Sequence, residues 1–403
     1  MENPFEFGRE LGADELVDRQ EEVAEVIRVI RGGEKLFVIG PRRYGKTSIL
    51  KAADDRAARE GAVVLRYNAE SYPTLDQLVA VIVADAARAM RGGVERAGEQ
   101  IRKFFSKLRP ELNFNVTESS WTATLGVAGA AAQSEGTAGV GLLVDALDGL
   151  EKLAAAQPAG QPIGLVIDEF QRIIEIGGQD AERQIRSAIQ RHKRTGYVFA
   201  GSKTRMLTDM TTDAARPFYR LGSLRFVGPV PREEFVQFLL SKFSSGGFKV
   251  EGATGKGAAG GAVAFILDLA EEVPYNVQLL AHTCWEQLSG AARGERVLTE
   301  KVVRDSLERI ARRYDPFYTQ LWRALTAVQQ QTLVAVIKER GVQMLSANTA
   351  RAVGRGASTV AKSLSALVNR EILREEESEG DIRYRFEDPF FAVWIDFLPR
   401  KFR

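Results

Sequence analysis

The chain has 403 residues, more than one compact core takes, and implies roughly two to three domains. Its 45% hydrophobic and 27% charged residues exclude wholesale disorder, and 55 basic against 53 acidic side chains leave a net charge of +2. Any surface for a polyanion is therefore local, while a single cysteine, Cys284, and two histidines exclude an internal disulfide framework and argue against a structural zinc site.

The opening MENPFEFGRE has no basic segment leading into an apolar one, so no secretory signal is read there. Apolar residues recur at helical spacing from Leu16 to Ile30, with Asp18 and Glu21 placed as a cap pair. A short apolar strand, Lys35 to Gly40, precedes a helix over Thr47–Glu60, a strand over Ala62–Tyr67 and a helix over Val79–Met90. Residues 91–153 read as an insertion. It holds a basic helical piece (Arg102, Lys103, Lys107, Arg109), a β-hairpin over Leu112–Thr117 and Trp121–Val127 turning at Glu118-Ser-Ser, and a helix near Leu142–Ala156. The charge-poor stretch from Ser119 to Val144 is rich in Gly, Ala and Thr and interrupted by Glu135, a poor membrane span. The chain reads as cytoplasmic, with no membrane partner.

Two further buried-type strands follow at Ile163–Asp168 and Tyr197–Gly201, with a helix over Ala181–Arg194 between them and a fifth strand over Leu224–Val227. Strands alternating with helices imply an α/β domain with a parallel sheet covered on both faces. Helical segments over Phe235–Phe243, Val263–Glu272, Val277–Ser289 and Thr299–Tyr314 suit a small helical lid. Three helices (Leu321–Arg340, Ala347–Val353, Ser358–Arg370), a charged segment and a strand over Ile382–Phe386 outline a winged helix-turn-helix. The expected domains are an ATPase core over 1–230, a lid over 231–316 and a winged helix over 317–403.

The segment Gly40-Pro41-Arg42-Arg43-Tyr44-Gly45-Lys46-Thr47 matches G-x-x-x-x-G-K-[ST], and Ser48 follows it. It lies between a predicted strand and a predicted helix, the setting this phosphate loop requires. Backbone N–H groups close around phosphates, the helix start adds partial positive charge, Lys46 reaches the β/γ oxygens and Thr47 ligates Mg²⁺. The apolar strand ending in Asp168-Glu169 supplies a carboxylate for the Mg²⁺ shell and a general base, Glu169, for the attacking water. ATP and Mg²⁺ are the cofactors implied.

Around this centre the alternatives stay open. Ser202 and Lys203 either contact the γ-phosphate or water, or form an ordinary strand-to-helix turn. Asn68 either restrains Glu169 or is a turn residue. Arg216, Arg220 and Arg225 cluster near the fifth strand, and Arg220 is the candidate to stabilise transition-state charge in a neighbouring subunit, against a plain surface role.

The entry Leu16-Val17-Asp18-Arg19, the phosphate loop, Asp168-Glu169-Phe170, Gly201-Ser202, Pro217-Phe-Tyr-Arg220 and the ending Tyr384-Arg-Phe-Glu-Asp388-Pro-Phe-Phe-Ala-Val-Trp394 together resemble the archaeal-type ATPase family. That family of P-loop NTPases stands between the AAA+ enzymes and the STAND signalling ATPases. The resemblance covers nearly the whole chain apart from much of the insertion. It implies that Val17 and Arg19 lie against adenine and that Pro274 in the lid lines the nucleotide. This chain departs from the family in having Glu272 where glycine is preferred, and Gln278 where AAA+ proteins often place a sensor arginine.

Thr349 to Arg370 carries Arg351, Arg355, Lys362 and Arg370 with no acidic residue, and Ser358, Thr359 and Ser363 add hydroxyls for phosphate. This stretch fits a helix entering the major groove of duplex DNA. The run Glu375-Glu-Glu-Ser-Glu379 in the expected wing would repel a phosphate backbone, so docking of a protein partner is the alternative. The Phe114–Trp121 hairpin suits DNA or a subunit contact, and Phe390, Phe391, Trp394 and Phe397 pack the winged domain against its neighbour. The leading reading is an ATP-driven switch or motor acting on DNA, with ATP between core and lid, and ATP together with DNA would favour a head-to-tail homo-oligomer. The alternative is a STAND-type signalling ATPase.

Overall fold

A computed structural model of the chain describes residues 2–12, 15–90, 94–115, 120–125, 135–157, 161–252, 261–292, 296–378 and 381–401. Two units emerge, one spanning Glu10–Gly228 and one joining Met1–Arg9 to Pro229–Arg403.

The first unit runs α1 (Gln20–Gly32), β1 (Lys35–Ile39), α2 (Lys46–Arg59), β2 (Val63–Asn68), α3 (Leu75–Arg88), α4 (Val94–Phe104), β3 (Pro110–Asn115), β4 (Ser120–Leu125), α5 (Glu135–Ala156), β5 (Ile163–Asp168), α6 (Gln171–Ile189), β6 (Thr195–Gly201), α7 (Thr204–Thr212) and β7 (Ser223–Phe226). Five strands form one parallel sheet in the order β2-β5-β6-β1-β7. The β5 and β6 strands are buried throughout, as expected for strands covered on both faces. Phe37, Ile39, Leu165, Ile167, Tyr197 and Phe199 face the core shared with α3, α5 and α6. On the other face α1 lies so close that a Cβ on Gly196 would fall 2.5 Å from Ile30 Cα. The register pairs Asn68 with Asp168 and Ile39 with Gly201, which aligns the carboxyl ends of four strands along one edge.

Local differences from the sequence reading have physical causes. Asp18 does not cap α1: it takes a left-handed backbone (φ 45°), and Arg19 becomes the N-cap without a side-chain capping bond. The α6 helix starts ten residues before the expected Ala181 and is broken at Gly178, whose φ of 63° and ψ of −160° no helix accommodates. The hairpin forms as β3 paired antiparallel with β4, Phe114 opposite Trp121; its expected turn at Glu118-Ser-Ser and the glycine-rich 126–134 fall largely outside the described residues.

The second unit runs α8 (Arg232–Ser245), β8 (Lys249–Val250), α9 (Ala262–Leu269), α10 (Pro274–Ser289), β9 (Val297–Leu298), α11 (Glu300–Arg313), α12 (Asp315–Arg323), α13 (Ala327–Lys338), α14 (Ala347–Val353), α15 (Ala357–Asn369), β10 (Leu373–Ser378), β11 (Asp381–Phe386) and α16 (Pro389–Lys401). Residues 1–9, which the sequence groups with the core, belong here, because Phe5 is fully buried among Phe238, Phe243 and Trp285. The single helix expected over Leu321–Arg340 is two: Thr326 and Gln329 form a reciprocal capping box that starts α13 anew. The β10–β11 hairpin supplies the wing. On α16, Phe391 and Trp394 pack on Tyr318, and the Trp394 indole N–H donates to Asp315 at 2.7 Å.

Candidate nucleotide-binding site

At the carboxyl edge of the sheet the chain leaves β1 at Gly40 and re-enters helix at Lys46. The return needs a left-handed step, supplied by Gly45 (φ 85°) as N-cap of α2, with Arg43 also left-handed (φ 69°). Three of the loop's side chains differ in exposure: Arg42 and Arg43 reach solvent, while Tyr44 is buried. Pro41 and Gly45 are partly exposed, so the backbone at this helix start is open to solvent. The Lys46 ammonium is buried and donates to the Pro41 carbonyl at 2.8 Å, curling over the loop. Ser48, expected among the nucleotide contacts, is buried and its hydroxyl oxygen accepts from Leu11 N–H at 3.1 Å.

Thr47 Oγ1 donates to Asp168 Oδ2 at 2.6 Å, although β6 lies between their strands. Burial raises the Asp168 carboxyl above its ordinary range and Glu169 adds to this, against the Thr47 hydroxyl and the Lys46 charge. A hydroxyl and a carboxylate oxygen at this separation fit Mg²⁺, a hard cation that takes few protein oxygens and shares the rest with nucleotide phosphates. Among the described residues no group of three or more His, Cys, Asp or Glu side chains is arranged to hold a metal. Thr47 and Asp168 are the residues that would hold the ion.

Glu169 sits one residue beyond β5 in a left-handed conformation (φ 51°). Its Oε2 accepts from Ser202 Oγ at 2.9 Å, Ser202 N–H at 3.3 Å and Gln171 Nε2 at 2.5 Å. Ser202 therefore contacts the acid itself. Lys203 pairs with Glu175, and Asn68 accepts from Glu70 N–H as the cap of the short turn after β2. Gln171 had no signal in the sequence, where the helix was expected to begin only at Ala181.

The remaining expected residues are more dispersed. Arg19 is buried with its guanidinium on Glu22 (2.9 Å) and the Gly228 carbonyl (2.6 Å), and Val17 is half-buried beside it in the chain. Arg216 is committed to Glu182 and Arg225 to Glu25, whereas Arg220 is exposed, with its guanidinium 5.1 Å from the Tyr219 ring. In the other unit Pro274 opens α10 after Glu271 and Glu272, both left-handed (φ 52° and 57°). That conformation favours glycine, and here Arg232 bonds Glu272 at 2.5 Å. Gln278 is buried and its Oε1 has no partner among the described residues.

The matching family described as "Probable winged helix domain" covers residues 316–397. Among solved structures, the Walker-type ATPase PABY2304 of Pyrococcus abyssi is similar over 98% of this chain and 99% of its own, at 16% identity and TM-score 0.57. The ORC2 protein of Aeropyrum pernix in ADPNP–ADP complexes is similar over 99% of this chain and 98% of its own, at 14% identity and TM-score 0.53. This chain has the P-loop ATPase fold with a C-terminal winged helix. The resemblance to archaeal-type ATPases thus holds at the level of the fold. No curated protein is significantly similar in sequence. No helix among the described residues is long and apolar enough to cross a membrane.

In the winged helix of this P-loop ATPase fold, Arg351, Arg355, Ser358, Thr359 and Lys362 are all exposed around the start of α15. Ser363, counted with them in the sequence, is buried and shares a hydrogen bond with Thr332 at 2.9 Å, and Arg370 donates to the Ala324 carbonyl at 3.2 Å. Wing arginines Arg374 and Arg385 both bond Glu271 and Glu376.

Proposed function

We propose that this chain binds ATP with Mg²⁺ at the phosphate loop, hydrolyses it, and acts as a switch recruited to duplex DNA through its winged helix. The observation that carries the reading is the 2.6 Å contact between Thr47 and Asp168 beside the buried Lys46. Two distant segments there converge on the donor set that a nucleotide's metal needs. Mg²⁺, when bound, screens the phosphate charges. Lys46 turns from the Pro41 carbonyl to the β/γ oxygens, the N–H groups of 42–47 cradle the phosphates, and Glu169 takes the proton of the attacking water. Arg220, exposed and without a carboxylate partner in its described contacts, is the residue offered to a neighbouring subunit's phosphates. The similar A. pernix structure, solved with ADPNP and ADP, supports nucleotide as the ligand.

The exposed Arg351, Arg355, Ser358 and Lys362 favour DNA phosphates and base edges as the winged helix's target. A second reading, a STAND-type switch docking a protein, is favoured by Val342, Leu345 and Ile382, apolar residues of the same domain that are 43%, 53% and 50% exposed. Calorimetric titration with Mg²⁺ and ATP tests the core of the reading: the wild type binds and Lys46→Ala does not. Equal affinity in the two proteins would remove the phosphate loop from the account.

A further inference from the structure

Gln171 is the first residue of α6, and its side chain turns back toward the carboxyl edge of the sheet. It is 2% exposed, and its amide donates to Glu169 Oε2 at 2.5 Å. Both Ser202 donors meet that same oxygen, so three hydrogen bonds converge on Oε2 and none of those described falls on Oε1. Gln171 Oε1 has no partner among the described residues. A buried amide with one bond unmade is costly, and an apolar side chain of similar length would fill the space without that penalty. The amide's single bond is therefore its reason for being there.

The neighbouring strand is built around this contact. A Cβ on Gly201, the last residue of β6, would fall 2.2 Å from Gln171 Oε1 and 2.5 Å from a Leu207 methyl. Gly201 is not among the positive-φ glycines, so its lack of a side chain serves the close approach and not a turn. Glutamate has three rotatable bonds and, untethered, spreads over many rotamers. Tethering one oxygen fixes where the other points.

We propose that Gln171 is a positioning residue: with Ser202 it anchors Glu169 through Oε2 and leaves Oε1 to accept the proton of the attacking water. The inference rests on the ATP-hydrolysis reading above and deepens it. Gln171→Met keeps the length and removes the donor. Its kcat falls about tenfold, the scale of a modest loss of alignment, while KM and calorimetric ATP affinity stay within about twofold of wild type. Gln171→Leu, which also lacks a donor, shows the same split and serves if the methionine variant does not fold. Under single-turnover conditions, adding Gln171→Met to Glu169→Gln costs nothing further, because no carboxylate remains to be positioned.

An unchanged or faster kcat in both Gln171 variants overturns the proposal, the faster one because the amide would then be holding Glu169 away from its work. A loss that adds fully to that of Glu169→Gln also overturns it, since Gln171 would then act through the fold. If the wild type lacks turnover, or Glu169→Gln turns over as wild type, the hydrolysis reading itself fails and the anchor with it. Slow Glu169→Gln beside normal Gln171 variants removes the anchor alone.

Discussion

Arg216 and Arg220 lie four residues apart in the same loop, and the structure gives them different surroundings. Glu182 is fully buried, and Arg216 bonds both of its oxygens, with Nε at 3.1 Å from Oε2. Arg216→Ala leaves that carboxylate without its cation inside the core. Breaking a buried ion pair from one side costs about 3–5 kcal/mol, and since the Arg216 side chain is 25% exposed the lower end, about 3 kcal/mol, applies. For a unit of this size, at ~2–4 °C per kcal/mol, melting should fall by roughly 6–12 °C. Arg220→Ala removes only an exposed guanidinium near the Tyr219 ring, about 0.5–1 kcal/mol and no more than ~4 °C. Thermal unfolding of the two variants side by side decides the matter. Equal losses, or an Arg216→Ala protein that melts like wild type, would refute the division of labour.

Two further outcomes follow from the same geometry. Mixing Lys46→Ala subunits with Arg220→Ala subunits restores some hydrolysis if Arg220 serves a neighbour's phosphates; a rate per subunit unmoved by mixing or by concentration makes the enzyme a monomer in its chemistry. Arg351→Ala with Arg355→Ala weakens duplex DNA binding and flattens its salt dependence, by about one counterion equivalent per arginine, in an anisotropy titration. Unchanged affinity and slope would favour the protein-docking reading.

Much of the candidate nucleotide site is legible in the sequence because its parts are local. A strand, a glycine-bounded loop and a helix carry Lys46 and Thr47, and an apolar strand ending at Asp168 is bounded by its own composition; β5 occupies the expected Ile163–Asp168. The sheet's residues are legible for the same reason, since both faces are covered and the strands are unbroken apolar runs. What stays hidden depends on partners far along the chain. Glu182 looks like one more helical glutamate until Arg216 arrives 34 residues later. Gln171 gains its meaning from Gly201 and Ser202, and Phe5 from Trp285, 280 positions away. Ser363 reads as a surface hydroxyl until α13 places Thr332 against it. The start of α13 was readable, since Thr326 and Gln329 stand at capping-box spacing, but the apolar period runs across it.

The central claim is that Glu169 carries out hydrolysis at a phosphate loop assembled by Lys46, Thr47 and Asp168. The most direct test is turnover of Glu169→Gln at saturating ATP and Mg²⁺, with ATP affinity measured on the same preparation. The account predicts affinity within about twofold of wild type and a rate at least ~10²-fold lower, the scale of a lost general base. Wild-type turnover in that variant would contradict it.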